Sequence, residues 1–246
     1  MDKDATYKER KAMMDEMVER WTKALLKLGI DKRDIGRSLA YAEDLERGLR
    51  MMRSFPQGIT IYGSARFSED HKYYKKAREL GQLLAQHGHP VITGGGPGIM
   101  EAANRGAFEY GGRSIGLNIT LSHEQEPNPY LTDTMEFRYF FTRRVMLSMS
   151  AKAYVVFPGG FGTMDELTEI LILIQEQKMP PMPVFFYGKS FWRPLERFYR
   201  TKMLSNGLIA AKDLKIFKIT DDLNEIVATA DKIGHFTISD QRYDIN

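Results

Sequence analysis

The chain has 246 residues, 35 Lys and Arg against 32 Asp and Glu for a net charge of +3, and is 43% hydrophobic and 27% charged. This is ordinary globular composition, enough for one large domain or two small ones, and it argues against disorder, collagen-like repeats and a coiled-coil rod. Cysteine is absent, which removes disulfides, thiolate metal ligands and cysteine nucleophiles, and so weak a net charge implies no nucleic-acid partner.

In chain order, residues 1–53 read as a helical extension. Met14, Met17, Trp21, Leu25 and Leu28 recur at spacings of three and four, Gly29 stands where a helix would be capped, and Leu39, Ala42, Leu45, Leu49 and Met52 form a second stripe. Both stripes are expected to pack on the main domain. No export signal is read at the start, and the longest strongly apolar run, Ile170 to Ile174, is far short of a membrane span. A cytoplasmic protein without membrane contact is expected.

From residue 54 to 246 strands alternate with helices. Strands are expected at Ile59–Tyr62, Pro90–Thr93, Ser114–Asn118, Glu136–Phe140, Ala153–Phe157, Val184–Tyr187 and Lys215–Ile219. Helices are expected at about 70–86, 99–110, 143–150, 162–177, 191–203 and 223–232. The alternation predicts an α/β fold, a Rossmann-like, doubly wound, mainly parallel sheet. The stretch 119–134, with Pro127 and Pro129, is the longest irregular segment, and the tail after about His235 is expected to be loosely held.

Two glycine-rich turns carry the chemistry: Thr93-Gly94-Gly95-Gly96-Pro97-Gly98 and Pro158-Gly159-Gly160-Phe161-Gly162-Thr163. Each follows a strand and opens a helix. Glycine lets the backbone approach a ligand closely, and a helix start offers free N–H groups and positive potential to a phosphate. Neither turn completes G-x-G-x-x-G, which disfavours NAD. Gly188-Lys189-Ser190 lacks the upstream glycine of a P-loop, because Pro183 stands there. The histidines show no metal spacing, and His87 and His89 read as solvated turn residues. No metal or cofactor is expected.

Asp165 and Glu166 follow the second turn and are read into the first turn of its helix, where the helix dipole should keep Glu166 ionised. A carboxylate beside an anion site is electrostatically costly unless it has work, and a sugar cation forming next to the phosphate would supply it. Arg143-Arg144 lie on the same sheet edge and suit a bidentate grip on phosphate or a hydrogen bond to a departing base.

The segment Pro158 to Leu167 resembles the PGGxGTxxE signature of the LOG ("lonely guy") proteins, which are often mislabelled lysine decarboxylases. Thr93 to Ala107, Tyr62-Gly63-Ser64-Ala65 and the run FFTRRVML are similar to the same family, so the likeness spans about residues 58–220. It implies a Rossmann-like fold, a homodimer or larger homo-oligomer, and hydrolysis of a nucleoside 5′-monophosphate, AMP or a cytokinin riboside 5′-monophosphate, to free base and ribose 5-phosphate. It implies Arg143 and Glu166 as catalytic residues. It places Gly160, Gly162 and Thr163 at the phosphate, and Ser64, Gly95, Gly96, Gly98, Arg144, Gly159 and Asp165 among the substrate contacts. Where many plant members read MHxRK, this chain has Phe140-Phe141-Thr142-Arg143-Arg144, which is similar to a longer bacterial subgroup and makes AMP the more cautious substrate. The alternative class is a non-catalytic nucleotide or molybdenum-cofactor carrier, which needs the turns but not the Arg143/Glu166 pair. A decarboxylase lysine has no support, since Lys152 and Lys178 read as surface residues.

Overall fold

The computed structural model describes residues 3–55, 57–120 and 126–233. The expected loose tail after His235, and residues 121–125 of the long irregular stretch, lie outside the described residues. The chain divides into two compact units, Met1–Glu46 and Arg47–Asn246, with the boundary inside a helix.

The first unit consists of α1 (Lys3–Lys27) and the greater part of α2 (Lys32–Met52). Gly29 ends α1 as expected. Its φ is +78°, its N–H donates to Leu26 O at 3.0 Å, and the Ile30 N–H reaches back to Leu25 O at 3.2 Å. That pair of bonds in a left-handed glycine is how a helix satisfies its last carbonyls. Asp31 then caps α2, accepting from the Arg33 N–H at 2.7 Å. Of the expected stripe on α1, Met17, Trp21 and Leu28 are 53%, 66% and 76% exposed.

The second unit is a seven-stranded parallel sheet in the order β4-β3-β2-β1-β5-β6-β7. The strands are β1 (Gly58–Tyr62), β2 (Val91–Thr93), β3 (Ser114–Ile119), β4 (Asp133–Phe137), β5 (Ala151–Val156), β6 (Val184–Tyr187) and β7 (Phe217–Thr220). The helices are α3 (Lys72–Gln86), α4 (Ile99–Glu109), α5 (Phe140–Met149), α6 (Phe161–Gln175), α7 (Lys189–Phe198) and α8 (Leu223–Lys232). The central strands β1, β2, β3 and β5 are buried along their whole length, as parallel strands covered on both faces must be. Tyr74, Ala77, Leu80 and Leu84, the predicted face of α3, join the main core with the alanines of α4 and the inner face of α8.

Two expectations are corrected here. β4 and α5 each begin three residues earlier than predicted, at Asp133 and Phe140. Register against β3 sets the strand, with Ile115 opposite Asp133 and Ile119 opposite Phe137, and this long-range pairing has no local signal. Lys152 and His89 are not surface residues; they are 1% and 4% exposed. Both lie near the sheet edge opposite the glycine turns. There Lys152 Nζ donates to the Ala230 carbonyl of α8 at 3.2 Å, and His87 and His89 share the Asp231 carboxylate at 2.9 and 2.8 Å. Burial lowers the pKa of both Lys152 and His89.

Candidate active site

Strand order reverses between β1 and β5, because β2 to β4 extend the sheet to one side of β1 and β5 to β7 to the other. Connections leaving two such strands run to opposite faces and open a crevice at their carboxyl ends, where open α/β sheets bind ligands. The loop after β1, the turn after β2 and the turn after β5 meet there. Ser64 ties them together: its N–H donates to Pro158 O at 3.0 Å and its carbonyl accepts from Ile99 N–H at 2.9 Å.

The turn after β2 is closed and braced. Gly95 and Gly98 both have φ of +70°, a conformation that a side chain disfavours. A Cβ on Gly98 would stand 2.4 Å from Ser64 O, and one on Gly95 2.0 Å from Asn118 Oδ1. The Gly95 N–H already donates to Thr93 Oγ1 at 2.9 Å. Its carbonyl accepts from the backbone N–H and the side-chain amide of Asn128 at 2.8 and 3.0 Å, and that amide also reaches Gly96 O at 3.2 Å. Buried Asn104 links Thr93, Asn128 and Ser114 behind the turn.

The turn after β5 is open. Gly160, Phe161 and Gly162 are exposed. Gly160 and Gly162 lack positive φ, and a Cβ at either would meet only open space. Neither glycine is therefore demanded by the fold. The first N–H groups of α6, which no intrahelical carbonyl can accept, leave from this turn. Thr163 is buried, its hydroxyl packed where a Cβ on Gly159 would otherwise sit.

Charged side chains from α5 and α6 converge beside this turn. Arg143 Nη2 donates to Glu166 Oε1 at 3.1 Å, with the two side chains only 12% and 14% exposed. Gly94 leaves room for the guanidinium, whose Nη1 lies 3.1 Å from where a Cβ would be. The Phe140 ring lies 5.6 Å from the Arg143 guanidinium carbon. Arg144 pairs with Asp165 and, through Nε at 3.2 Å, with Glu169.

α6 starts at Phe161, so Asp165 and Glu166 fall in its second turn, beyond the reach of the dipole at its first. This corrects the expectation that the helix start keeps Glu166 ionised. Burial is the largest influence and pushes its pKa up to about 7, against the opposing pull of Arg143, with Asp165 and Glu169 adding to the rise. Burial likewise raises Glu169.

A groove of about 470 Å³ opens on the other face of the same turn, lined by Phe161, Met164, Phe191, Leu195 and Phe198 among other uncharged residues. At 100° per residue, Phe161 and Met164 point well away from Glu166, so this groove is not where the charged pair can act. Among the described residues, no His, Asp and Glu groups are arranged to hold a metal ion.

All the sequence-predicted site residues lie on this one sheet edge. Sequence reasoning missed Asn104 and Asn128, which hold the turn after β2. It also missed Glu169, although its spacing of three and four from Glu166 and Asp165 puts it on a shared helix surface. Lys178 is exposed and Lys152 sits at the far end of β5, so neither lysine reaches this crevice.

Residues 100–230, more than half of the chain, match the family described as "Possible lysine decarboxylase". A rice protein (Oryza sativa subsp. japonica) named probable cytokinin riboside 5′-monophosphate phosphoribohydrolase LOG4 is 24% identical over 74% of this chain and 80% of its own. A pyrimidine/purine nucleotide 5′-monophosphate nucleosidase of Escherichia coli (strain K12) is 27% identical over 58% of this chain, a match that spans 34% of the nucleosidase. An uncharacterised Archaeoglobus fulgidus protein is 31% identical over 44% of this chain and 69% of its own. Among solved structures, the molybdenum cofactor carrier protein of Chlamydomonas reinhardtii shares the fold, with a TM-score of 0.52 at 24% identity over 71% of this chain and 96% of that one. No described helix is long and apolar enough to cross a membrane. Parallel sheet, paired glycine turns and family match agree, and this chain belongs to the possible lysine decarboxylase family, the family of the LOG proteins.

Proposed function

We propose that the chain hydrolyses the N-glycosidic bond of a nucleoside 5′-monophosphate, with AMP the first substrate to test and cytokinin riboside 5′-monophosphates the second. Water adds its hydroxyl to C1′ of the ribose and its proton to the departing base, giving ribose 5-phosphate and free base. The observation that carries this reading is the buried Arg143–Glu166 pair beside a turn whose exposed glycines the fold does not need. The 5′-phosphate lies on the backbone of Gly160, Gly162 and Thr163 at the start of α6, where free N–H groups favour an anion. The ribose then lies next to Glu166.

Glycosidic bonds break through a cation-like sugar, and the Glu166 carboxylate stabilises that charge in a site shielded from water. Arg143, reaching from Glu166 to Gly94, sits on the base side and offsets negative charge on the leaving base. Arg144 holds Asp165 and Glu169 in place. Ser64, Gly95, Gly96 and Gly98 form the backbone wall opposite. The names of the rice and Escherichia coli relatives support this chemistry. A carrier would need the turns alone and leaves the buried ion pair without a role.

The test is product analysis. The purified protein is incubated with AMP, other nucleoside monophosphates and isopentenyladenosine monophosphate, and the products are separated by chromatography. Free base and ribose 5-phosphate in equal amounts are expected. Intact nucleotides that nevertheless bind would overturn the reading in favour of a carrier.

A further inference from the structure

Phosphate and ribose have their places in this crevice, and the base needs one. If the phosphate lies on the turn after β5 and the ribose beside Glu166, the base points along the sheet edge toward β1, β2 and β4. Two strand spacings, roughly 10 Å, carry it from β5 to the turn after β2. Arg143 marks that path, since it spans from Glu166 to Gly94. Beside Arg143 stands Phe140, which opens α5 one turn before it. Phe140 is 55% exposed, although the Arg143 side chain beside it is only 12% exposed. Its ring is held in place by the Arg143 guanidinium, a cation–π contact that fixes an aromatic plane at the mouth of the crevice.

We infer that Phe140 is a specificity-determining residue of this site, the aromatic face on which the nucleobase of a nucleoside monophosphate stacks. The inference rests on the reading above that the turn after β5 holds the 5′-phosphate. A phenyl ring offers no donor or acceptor, so it selects for a flat aromatic base and not for a base edge. Purine and pyrimidine monophosphates should both bind, the larger purine more tightly. Ribose 5-phosphate, which shares the phosphate and sugar but has no base, should not sense the ring.

Calorimetric titration of AMP, CMP and ribose 5-phosphate against wild type, Phe140→Ala and Phe140→Trp tests this, alongside turnover of AMP. Removing a stacking partner should weaken AMP binding about 5- to 150-fold, weaken CMP less, and leave ribose 5-phosphate unchanged. Phe140→Trp should restore AMP binding. Equal AMP affinity in wild type and Phe140→Ala would overturn the inference. So would a parallel loss for ribose 5-phosphate, which would mark the ring as structural. A wild type that binds AMP without cleaving it overturns the hydrolase reading alone, and the affinity comparison still decides the role of Phe140. A wild type that binds neither nucleotide nor ribose 5-phosphate overturns both.

Discussion

The two glycine turns look alike in sequence and differ in what their glycines do. After β2, Gly95 and Gly98 have positive φ, Asn128 donates to the Gly95 carbonyl, and the Ile99 N–H next to Gly98 donates to Ser64 O. A methyl group on Gly95 would stand 2.0 Å from the Asn118 side chain, and one on Gly98 2.4 Å from the Ser64 carbonyl. These glycines are there for the fold. After β5, Gly160 and Gly162 have ordinary backbone angles and empty space where a side chain would go. In the proposed function, the 5′-phosphate on this turn is what needs the missing Cβ there. A glycine-rich motif is therefore two different statements, and only the surroundings of each glycine tell them apart.

An alanine placed at each turn should separate the two kinds of glycine most sharply. Gly98→Ala forces a side chain into positive φ and onto the Ser64 carbonyl, and should destabilise by about 3 kcal/mol or more, a fall in Tm of roughly 6–12 °C for a chain of this size. Gly162→Ala should leave stability within about 0.5 kcal/mol yet weaken ribose 5-phosphate roughly tenfold or more through lost hydrogen bonds to its charge. Thermal melts and titrations on both variants read the contrast. Equal effects at both turns would dissolve it.

The second test uses pH. With the Glu166 pKa raised to about 7 by burial, its carboxylate form is lost as pH falls through 7. Turnover should then drop roughly tenfold per unit below that point, and a rate profile flat from pH 5 to 8 would remove Glu166 from the chemistry. A third, smaller effect is expected on the braced side. Asn128→Ala removes the side-chain amide that donates to Gly96 O and the nearer of the two side-chain amides that donate to Gly95 O, and should destabilise by about 1–3 kcal/mol, measured by denaturant midpoint.

The smallest effect lies far from both turns. Burial lowers the pKa of His89 below its ordinary value, so the unfolded chain takes up a proton before the folded one does. His89 therefore adds stability above its unfolded pKa of about 6.5, and that stability is lost as pH falls toward the folded value. Melts of wild type and His89→Asn should differ most near pH 8 and converge as the pH falls toward 5, and a gap that stays constant would remove His89 from the pH dependence.

Much of this was readable from the chain alone, where the signal is local. The strands β1, β2 and β6 are followed at once by Gly63, Gly94 and Gly188, and α3 announces itself by the spacing of Tyr74, Ala77, Leu80 and Leu84. The start of β4 was not legible, because its register depends on β3 across a proline-containing loop. Burial of His89 and Lys152 was not legible either, since Ala230 and Asp231 of α8 arrive from far along the chain to meet them. Arg143 and Glu166 stand out through family resemblance, but no spacing rule brings residues 23 positions apart into one ion pair. The opposite roles of the two turns are invisible in sequence, because φ and open space are properties of the fold.

In the proposed function Glu166 acts in bond cleavage and not in holding the nucleotide, and measuring both on one variant separates the two. Glu166→Gln keeps the shape and a hydrogen-bonding oxygen for Arg143. It should bind AMP with an affinity comparable to wild type while its turnover to adenine and ribose 5-phosphate falls roughly 100-fold or more. Wild-type turnover in Glu166→Gln would contradict the account.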